Sequence, residues 1–326
     1  MKRALMLITA VFLLGATALA AGPYNLVLAG ASPGGLWSLI GTGVDRALKK
    51  ASLGSSVTYQ TSGGGYANIK LLQDKVVNLA FLHDAEANQA MRGKAPFSAP
   101  VSGLRALAVM YDFSAFQPLI SKKFMDKYSI NSFEDIEKKK PPVRITVNKR
   151  GNVTHNLAVN VLAAYGISLD DIKSWGGQVV IAGSRQAAEL MRNRQADMTL
   201  NAPFVGHSSI LEVASALPVR ILPVSNEVIS KVRKDMGIGE FVIPKNSYEW
   251  VEKDTPTLAL AAMIAVNEDM DNATAQAVTS AFIDHISEIQ NIHKAMRALT
   301  PKMMVSQSAI PFHPGAIKAY EKAGLM

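Results

Sequence analysis

"NLVLAGASPGGLWSLIGTGV", residues 25–44, runs an apolar strand into a glycine-rich corner and out again into an amphipathic helix. Leu36, Ile40, Val44 and Leu48 follow helical spacing after the corner. Inside the corner, Gly30-Ala31-Ser32-Pro33-Gly34 satisfies G-x-S-x-G, the pattern of a hydrolase nucleophile elbow. The mechanics argue against that chemistry. In an elbow, the residue after the serine donates its backbone N–H to the oxyanion, and here that residue is Pro33, which has none. No sequence feature selects one of the six histidines as a triad partner. What survives is Ser32 as an N-cap, Pro33 near the first helical position, and glycines that allow close backbone approach to a ligand.

The same grammar recurs twice. Thr61-Ser62-Gly63-Gly64-Gly65-Tyr66 lies between the strand "SVTYQ" and the helix "YANIKLL". Three glycines at a helix N-terminus expose amide donors where the partial positive charge favours an anion. No Lys-Ser/Thr follows, so this is not a Walker A loop, and neither corner carries the dinucleotide fingerprint. The third corner is "VNKRGNVTHNLAVNVLAAYG", residues 147–166. There Asn152 or Thr154 is a candidate cap and Arg150 is suited to a two-pronged bond with a carboxylate.

Around these corners, apolar strands alternate with helical stretches, at residues 24–29, 56–60, 78–82, 104–110, 118–121, 143–148, 178–182, 198–200 and 219–224. That alternation predicts parallel sheets covered by helices. The last third differs: residues 257–266 form a long apolar run, 274–299 read as one long helix, and 315–323 as a short terminal one. No internal sequence repeat or low-complexity segment is visible. The fold class is α/β with two domains, lobe 1 over residues 22–115 plus 225–326 and lobe 2 over 116–224. Two crossings between them create a ligand cleft and a hinge.

Composition bounds the rest. Lys2 and Arg3 precede an apolar run ending in Ala18-Leu19-Ala20-Ala21, the pattern of a secretory signal spanning residues 1–21 and cleaved near Ala20 or Ala21. The chain has 326 residues and no cysteine, so disulfides, thiolate metal sites and a cysteine nucleophile are excluded. Without Lys2 and Arg3, 32 basic residues face 26 acidic ones, a net +6. Lys138-Lys139-Lys140 beside Pro141-Pro142 reads as a loop, not as a nucleic-acid stripe. No His/Asp/Glu cluster has metal-ligand spacing, and neither a metal nor a cofactor is expected.

"SPGGLWSLIGTGVDRALKK", "TSGGGYANIKLLQDKVVNLAFLHDAEANQAMRGKAPF" and "LRALAVMY" together resemble the solute-binding proteins of TRAP transporters, of the TAXI family. The resemblance continues through "INSFEDIEKKKPPVRITV", "VLAAYGISLDDI", "AAELMRNRQADMTLNAPF" and "IPFHPGAIKAYEKAG". It implies a two-lobed periplasmic-binding-protein fold without enzymatic activity. Such a receptor closes on a small organic anion (carboxylate, amino acid or dicarboxylate) and delivers it to integral-membrane subunits driven by an ion gradient. The implied protein is a periplasmic monomer that binds no nucleic acid. Carried over, the site draws on Ser32, Gly34, Gly35 and Trp37, on Thr61, Ser62, Gly63 and Gly64, and on His83 and Asp84. From lobe 2 it draws on Asn148, Arg150, Asn152, Thr154, Asn201, Pro203 and Phe204. This chain has Gly151-Asn152-Val153-Thr154 where the family usually shows Gly-Ser-Gly-Thr, and Lys149 and Arg150 are placed to compensate with direct charge. Trp37 is read either as a stacking platform for the ligand or as part of a packed helix face. An ATP-driven importer's receptor shares the same architecture and is the nearest alternative. A periplasmic hydrolase using Ser32 is the more distant one.

Overall fold

A computed structural model describes residues 23–306 and 308–326. The signal-sequence reading lies outside the described residues. The chain opens with three strand–helix units: β1 (Asn25–Ala29) and α1 (Leu36–Ala51), β2 (Ser56–Gln60) and α2 (Gly65–Gln73), β3 (Leu79–His83) and α3 (Asp84–Met91). Strand β4 (Leu104–Ala115) then leads through Phe116 into β5 (Gln117–Ser121), α4 (Lys122–Tyr128) and α5 (Phe133–Lys139). Next come β6 (Arg144–Val147), α6 (Val153–Ala164), α7 (Leu169–Ser174), β7 (Gln178–Ile181), α8 (Ser184–Arg192), β8 (Met198–Asn201), α9 (Ser208–Ala216) and β9 (Val219–Ile221). The chain returns through α10 (Asn226–Met236), β10 (Gly239–Ile243) and β11 (Thr255–Asn267). It ends in α11 (Asn272–Asp284), α12 (Ile286–Gln290), a 3-10 turn (Lys294–Ala298), α13 (Pro301–Met304) and α14 (Pro314–Lys322).

The strands form two sheets built to one plan. The first runs β2-β1-β3-β11-β4, with β10 also on β11, and the second runs β7-β6-β8-β5-β9. In each, three parallel strands are followed by antiparallel neighbours. The expectation of parallel sheets is therefore corrected to mixed ones. The plan repeats although the sequence does not, because each sheet needs only buried apolar strands and not any particular residues.

Both faces of each sheet are covered, so the strands read as nearly continuous apolar runs. In β3, Leu79 and Phe81 pack under α1, α11 and α14, while Ala80 and Leu82 pack under α2 and α3. In the second sheet, Ile145, Val147, Met198 and Leu200 pack against α5, α6 and α10. The opposite face joins α8 and α9 through Ala188, Met191, Ile210 and Val213. The apolar run at 257–266 is the body of β11, sandwiched between β3 and β4, and β10 pairs with its first half.

The long helix expected over 274–299 is broken at His285 and again before the 3-10 turn. His285 leaves helical geometry at φ −120°, ψ 32°, and His293 is extended and caps Ala295 through Nδ1 at 3.1 Å. The His293 ring thus satisfies a backbone N–H at the start of the 3-10 turn, where the helix does not continue. The first break lays α12 against α1 so closely that a Cβ on Gly43 would come within 2.8 Å of Ile289 Cα.

The chain passes between the sheets at Phe116 and again after Ile221, and these segments are bonded to one another. Phe116 N–H donates to Leu258 O at 2.7 Å, Thr257 Oγ1–H to Phe116 O at 2.6 Å, and Val224 N–H to Pro256 O at 3.1 Å. No helix among the described residues is long and apolar enough to cross a membrane.

Candidate ligand-binding site

Six helices follow the six parallel strands, and all six begin at one cleft between the lobes. The residues at or beside their starts, Gly35, Gly64, His83, Asn152, Ser184 and His207, all line it. The carboxyl ends of parallel strands are where α/β sheets present ligand crevices. The cleft has a volume of about 430 Å³, within the usual range for small-molecule sites.

The first N–H groups of a helix have no carbonyl a turn earlier to bond. At α1, α2 and α8 no side chain caps them either. Five of the six helices, all but α3, carry no acidic residue in the first turn. The donor field is thus left for a ligand. Lys149 and Arg150 add positive charge from the β6–α6 corner, exposed and without an ion-pair partner among the described residues.

Most of the anticipated residues meet here: Ser32, Gly35, Trp37, Ser62, Gly63, Gly64 and His83 from the first lobe, with Asn148, Arg150, Asn152, Thr154, Asn201, Pro203 and Phe204 from the second. Gly34, Thr61 and Asp84, also expected at the site, do not line the cleft. Gly34 is spent on the turn itself, at φ +78° with its N–H on Ser38 Oγ at 2.9 Å. Ser32 is not the cap of α1, because Gly35 occupies that position. The Ser32 hydroxyl is exposed and makes no hydrogen bond to a histidine or carboxylate among the described residues.

Asp84 points the other way. Its carboxyl group accepts from Ala85 N–H at 2.9 Å and from Ala261 N–H at 3.1 Å. Ala261 lies at a register shift of β11, so its N–H leaves the ladder and Asp84 satisfies it. Burial pushes the Asp84 carboxyl up to about 7, against the pull of those two N–H groups and of His83. A raised carboxyl pKa means the native state binds more protons than the unfolded chain between pH 4 and 7, so stability falls as pH rises through that window. Urea unfolding of Asp84→Asn should show this decline flattened. A wild-type slope retained in the variant would assign it to another group.

Several corner side chains are structural before they are anything else. Trp37 is stacked on Phe81 at 5.2 Å and its Nε1–H donates to Tyr111 Oη at 2.9 Å, so it belongs to the core face and offers the cleft only an edge. The Ser62 hydroxyl is engaged by Gly30 O and Asn68 Oδ1 and accepts from Gly64 N–H. Asn152 caps α6 by accepting from Thr154 N–H at 2.9 Å. Val153 puts its side chain into the second lobe's core.

The floor of the second lobe is a polar relay. Asn148 Nδ2–H donates to Asn201 Oδ1 at 3.2 Å, and Asn201 Nδ2–H to Ser184 Oγ at 2.7 Å. The lobes also touch across the cleft: Asn156 Nδ2–H donates to Tyr66 Oη at 2.8 Å, and Phe204 meets His293 edge-on at 5.1 Å. Sequence reasoning missed Glu86, Tyr111, Ser114 and Ser184, all of which line the cleft. Glu86 carried a signal, since a glutamate three residues after a strand-to-helix residue is the reciprocal capping pattern. Tyr111 had none beyond being the polar-tipped member of an apolar strand.

Two α/β lobes, with helix starts converging on a crevice and a bonded double crossing behind it, define the fold of the periplasmic solute-binding proteins. MatC from Rhodopseudomonas palustris, solved with bound malate, superposes with a TM-score of 0.56 at 11% identity, over 94% of this chain and 97% of that one. PhnD1 from Prochlorococcus marinus, in complex with methylphosphonate, gives 0.56 at 12%, over 94% and 100%. A TctC solute-binding protein from Polaromonas gives 0.54 at 12%, over 85% and 89%. Residues 28–324 match the NMT1-like family, and the chain belongs to that family.

Proposed function

We propose that this protein is the solute receptor of a TRAP transporter of the TAXI type. In this reading it is exported to the periplasm after cleavage near Ala20 or Ala21, and it captures a small organic anion as a monomer. It then hands that anion to membrane subunits driven by an ion gradient. The observation that carries the reading is the convergence of six helix starts on one cleft, five of them free of first-turn acids. Two proteins of the same fold hold small anions, malate in MatC and methylphosphonate in PhnD1. In this reading the protein binds without turnover, and the Ser32 hydroxyl, exposed at the cleft, makes no hydrogen bond to a histidine or carboxylate among the described residues. The proposed lobe division is residues 22–115 plus 225–326 against 116–224, with α10 packed on α6 as a brace between them.

A thermal-shift screen of organic acids tests this directly. Ligand at a hundred times its dissociation constant adds about 2.7 kcal/mol of stability, a visible rise in Tm. Silence across the panel together with hydrolysis of an ester or amide would replace the receptor by an enzyme. A fused TRAP membrane-subunit gene beside this one separates a TRAP receptor from that of an ATP-driven importer.

Arg150 supplies a testable contact. Arg150 lines the cleft and has no ion-pair partner among the described residues, which suits it to a charge-assisted bond to the ligand. Arg150→Ala should weaken anion binding by roughly 1.5–3 kcal/mol in calorimetric titration. An unchanged dissociation constant would remove Arg150 from the site.

A further inference from the structure

The cleft is not uniformly positive. Among the described residues lining it, Lys149 and Arg150 are the cationic side chains and both come from the second lobe, while Glu86 is the acidic one and comes from the first. Alone among the six helices, α3 has acids in its first turn, Asp84 and Glu86. Asp84 is turned toward β11, so the cleft receives Glu86 alone.

Glu86 is held in place from two sides. Its side chain is 2% exposed, and Oε2 accepts from His83 N–H at 2.8 Å. The carboxyl group lies against Gly65, the first residue of α2, where a Cβ would come within 1.7 Å of Oε2. A negative charge at a helix N-terminus offsets the field that would otherwise attract an anion there.

The chain behind it fixes its character. Trp37 Nε1 is a donor only, so its 2.9 Å bond to Tyr111 Oη leaves the tyrosine proton free to face His83 Nε2, at 3.4 Å. His83 Nδ1 in turn faces Glu86 Oε2 at 3.3 Å. The series Trp37, Tyr111, His83 leads to Glu86, whose carboxylate is an acceptor and takes the His83 backbone N–H. The first lobe therefore offers a ligand a buried hydrogen-bond acceptor, and the second lobe offers it cations.

We propose that Glu86 sets the ligand's polarity: the cleft takes a monocarboxylate whose carboxylate lies on the second lobe near Arg150 and whose hydroxyl or ammonium group donates toward Glu86. A second carboxylate at that end meets like charge in a dry corner and is rejected, so dicarboxylates spanning the cleft are excluded. Specificity by repulsion of this kind discriminates more sharply than a missing contact. The proposal rests on the receptor reading and narrows it.

The test compares thermal shifts and calorimetric affinities for matched three- to six-carbon acids: each dicarboxylate against the hydroxy- and amino-monocarboxylate of equal length. Wild-type protein should be stabilised by at least one donor-bearing monocarboxylate and at least tenfold less tightly bound by its dicarboxylate partner. Glu86→Gln keeps the size of the side chain and removes its charge, so it should gain about tenfold for dicarboxylates and lose about tenfold for the monocarboxylate. Arg150→Ala should weaken both classes and leave their ratio unchanged. Equal binding of the two classes by wild type overturns the proposal while leaving the receptor reading intact, as does an unaltered ratio in folded Glu86→Gln. Silence of the whole panel on wild type overturns this proposal, and together with hydrolysis of an ester or amide it overturns the receptor reading as well. Should Glu86→Gln not fold, the wild-type ratio alone decides.

Discussion

Asn68→Leu is expected to cost about 2–4 kcal/mol of folding stability and to abolish ligand binding. Asn68 is fully buried beneath the corners. Its Nδ2 group donates to Gly30 O at 3.0 Å and Phe81 O at 2.8 Å, and its Oδ1 accepts from the Ser62 hydroxyl. One side chain thereby pins the end of β1, the corner after β2 and the body of β3 to one another. Leucine of similar size strands those buried partners, each at about 1–3 kcal/mol. The helix starts at Gly35 and Gly64 then lose their common anchor. Urea unfolding and calorimetric titration check both parts. A loss below about 1 kcal/mol with affinity unaltered would show that the corners hold their shape without this network.

Gly65→Ala is expected to act more locally and almost as severely. A Cβ there would meet Glu86 Oε2 at 1.7 Å and Cδ at 2.2 Å. The carboxylate cannot swing aside cheaply, since it is buried and bonded to His83 N–H. Either the first turn of α2 is displaced or Glu86 is driven into the cleft, and both change the site. Overpacking of this kind costs about 1–3 kcal/mol, and affinity for the solute should fall at least tenfold, or about 1.4 kcal/mol. Gly63→Ala is the control, because its Cβ would meet only the Ala67 methyl at an ordinary 3.4 Å. If the two variants bind alike, the close approach at Gly65 has no bearing on recognition.

The strand–corner–helix grammar was legible because it is written locally. An apolar strand, a glycine turn and a 3.6-residue period are neighbours in the chain, and β1–α1, β2–α2 and β6–α6 follow them. The positions that escaped sequence reasoning depend on partners far away. Whether Asp84 or Glu86 faces the ligand is decided by Ala261 on β11, whose N–H claims one of two acids two residues apart. The environment of Trp37 is set by Phe81 and Tyr111, on strands it reaches only in the fold. The break at His285 is likewise tertiary, fitted to the close seat of α12 on Gly43. Residues 257–266 gave no clear period because a strand flanked on both edges and covered on both faces has no polar side to show.

The bonded crossing behind the cleft bears on how capture works as a motion. With Phe116 tied to Leu258 and Thr257, and Val224 tied to Pro256, the connecting segments form one ribbon instead of two independent tethers. Sliding or splaying of the lobes would tear that ribbon, whereas a pivot about its long axis only twists it. Swinging about that axis is the displacement that leaves the three crossing bonds in place. A solute bridging the Arg150 and Glu86 corners, as proposed, would have that pivot as its route to closing the cleft.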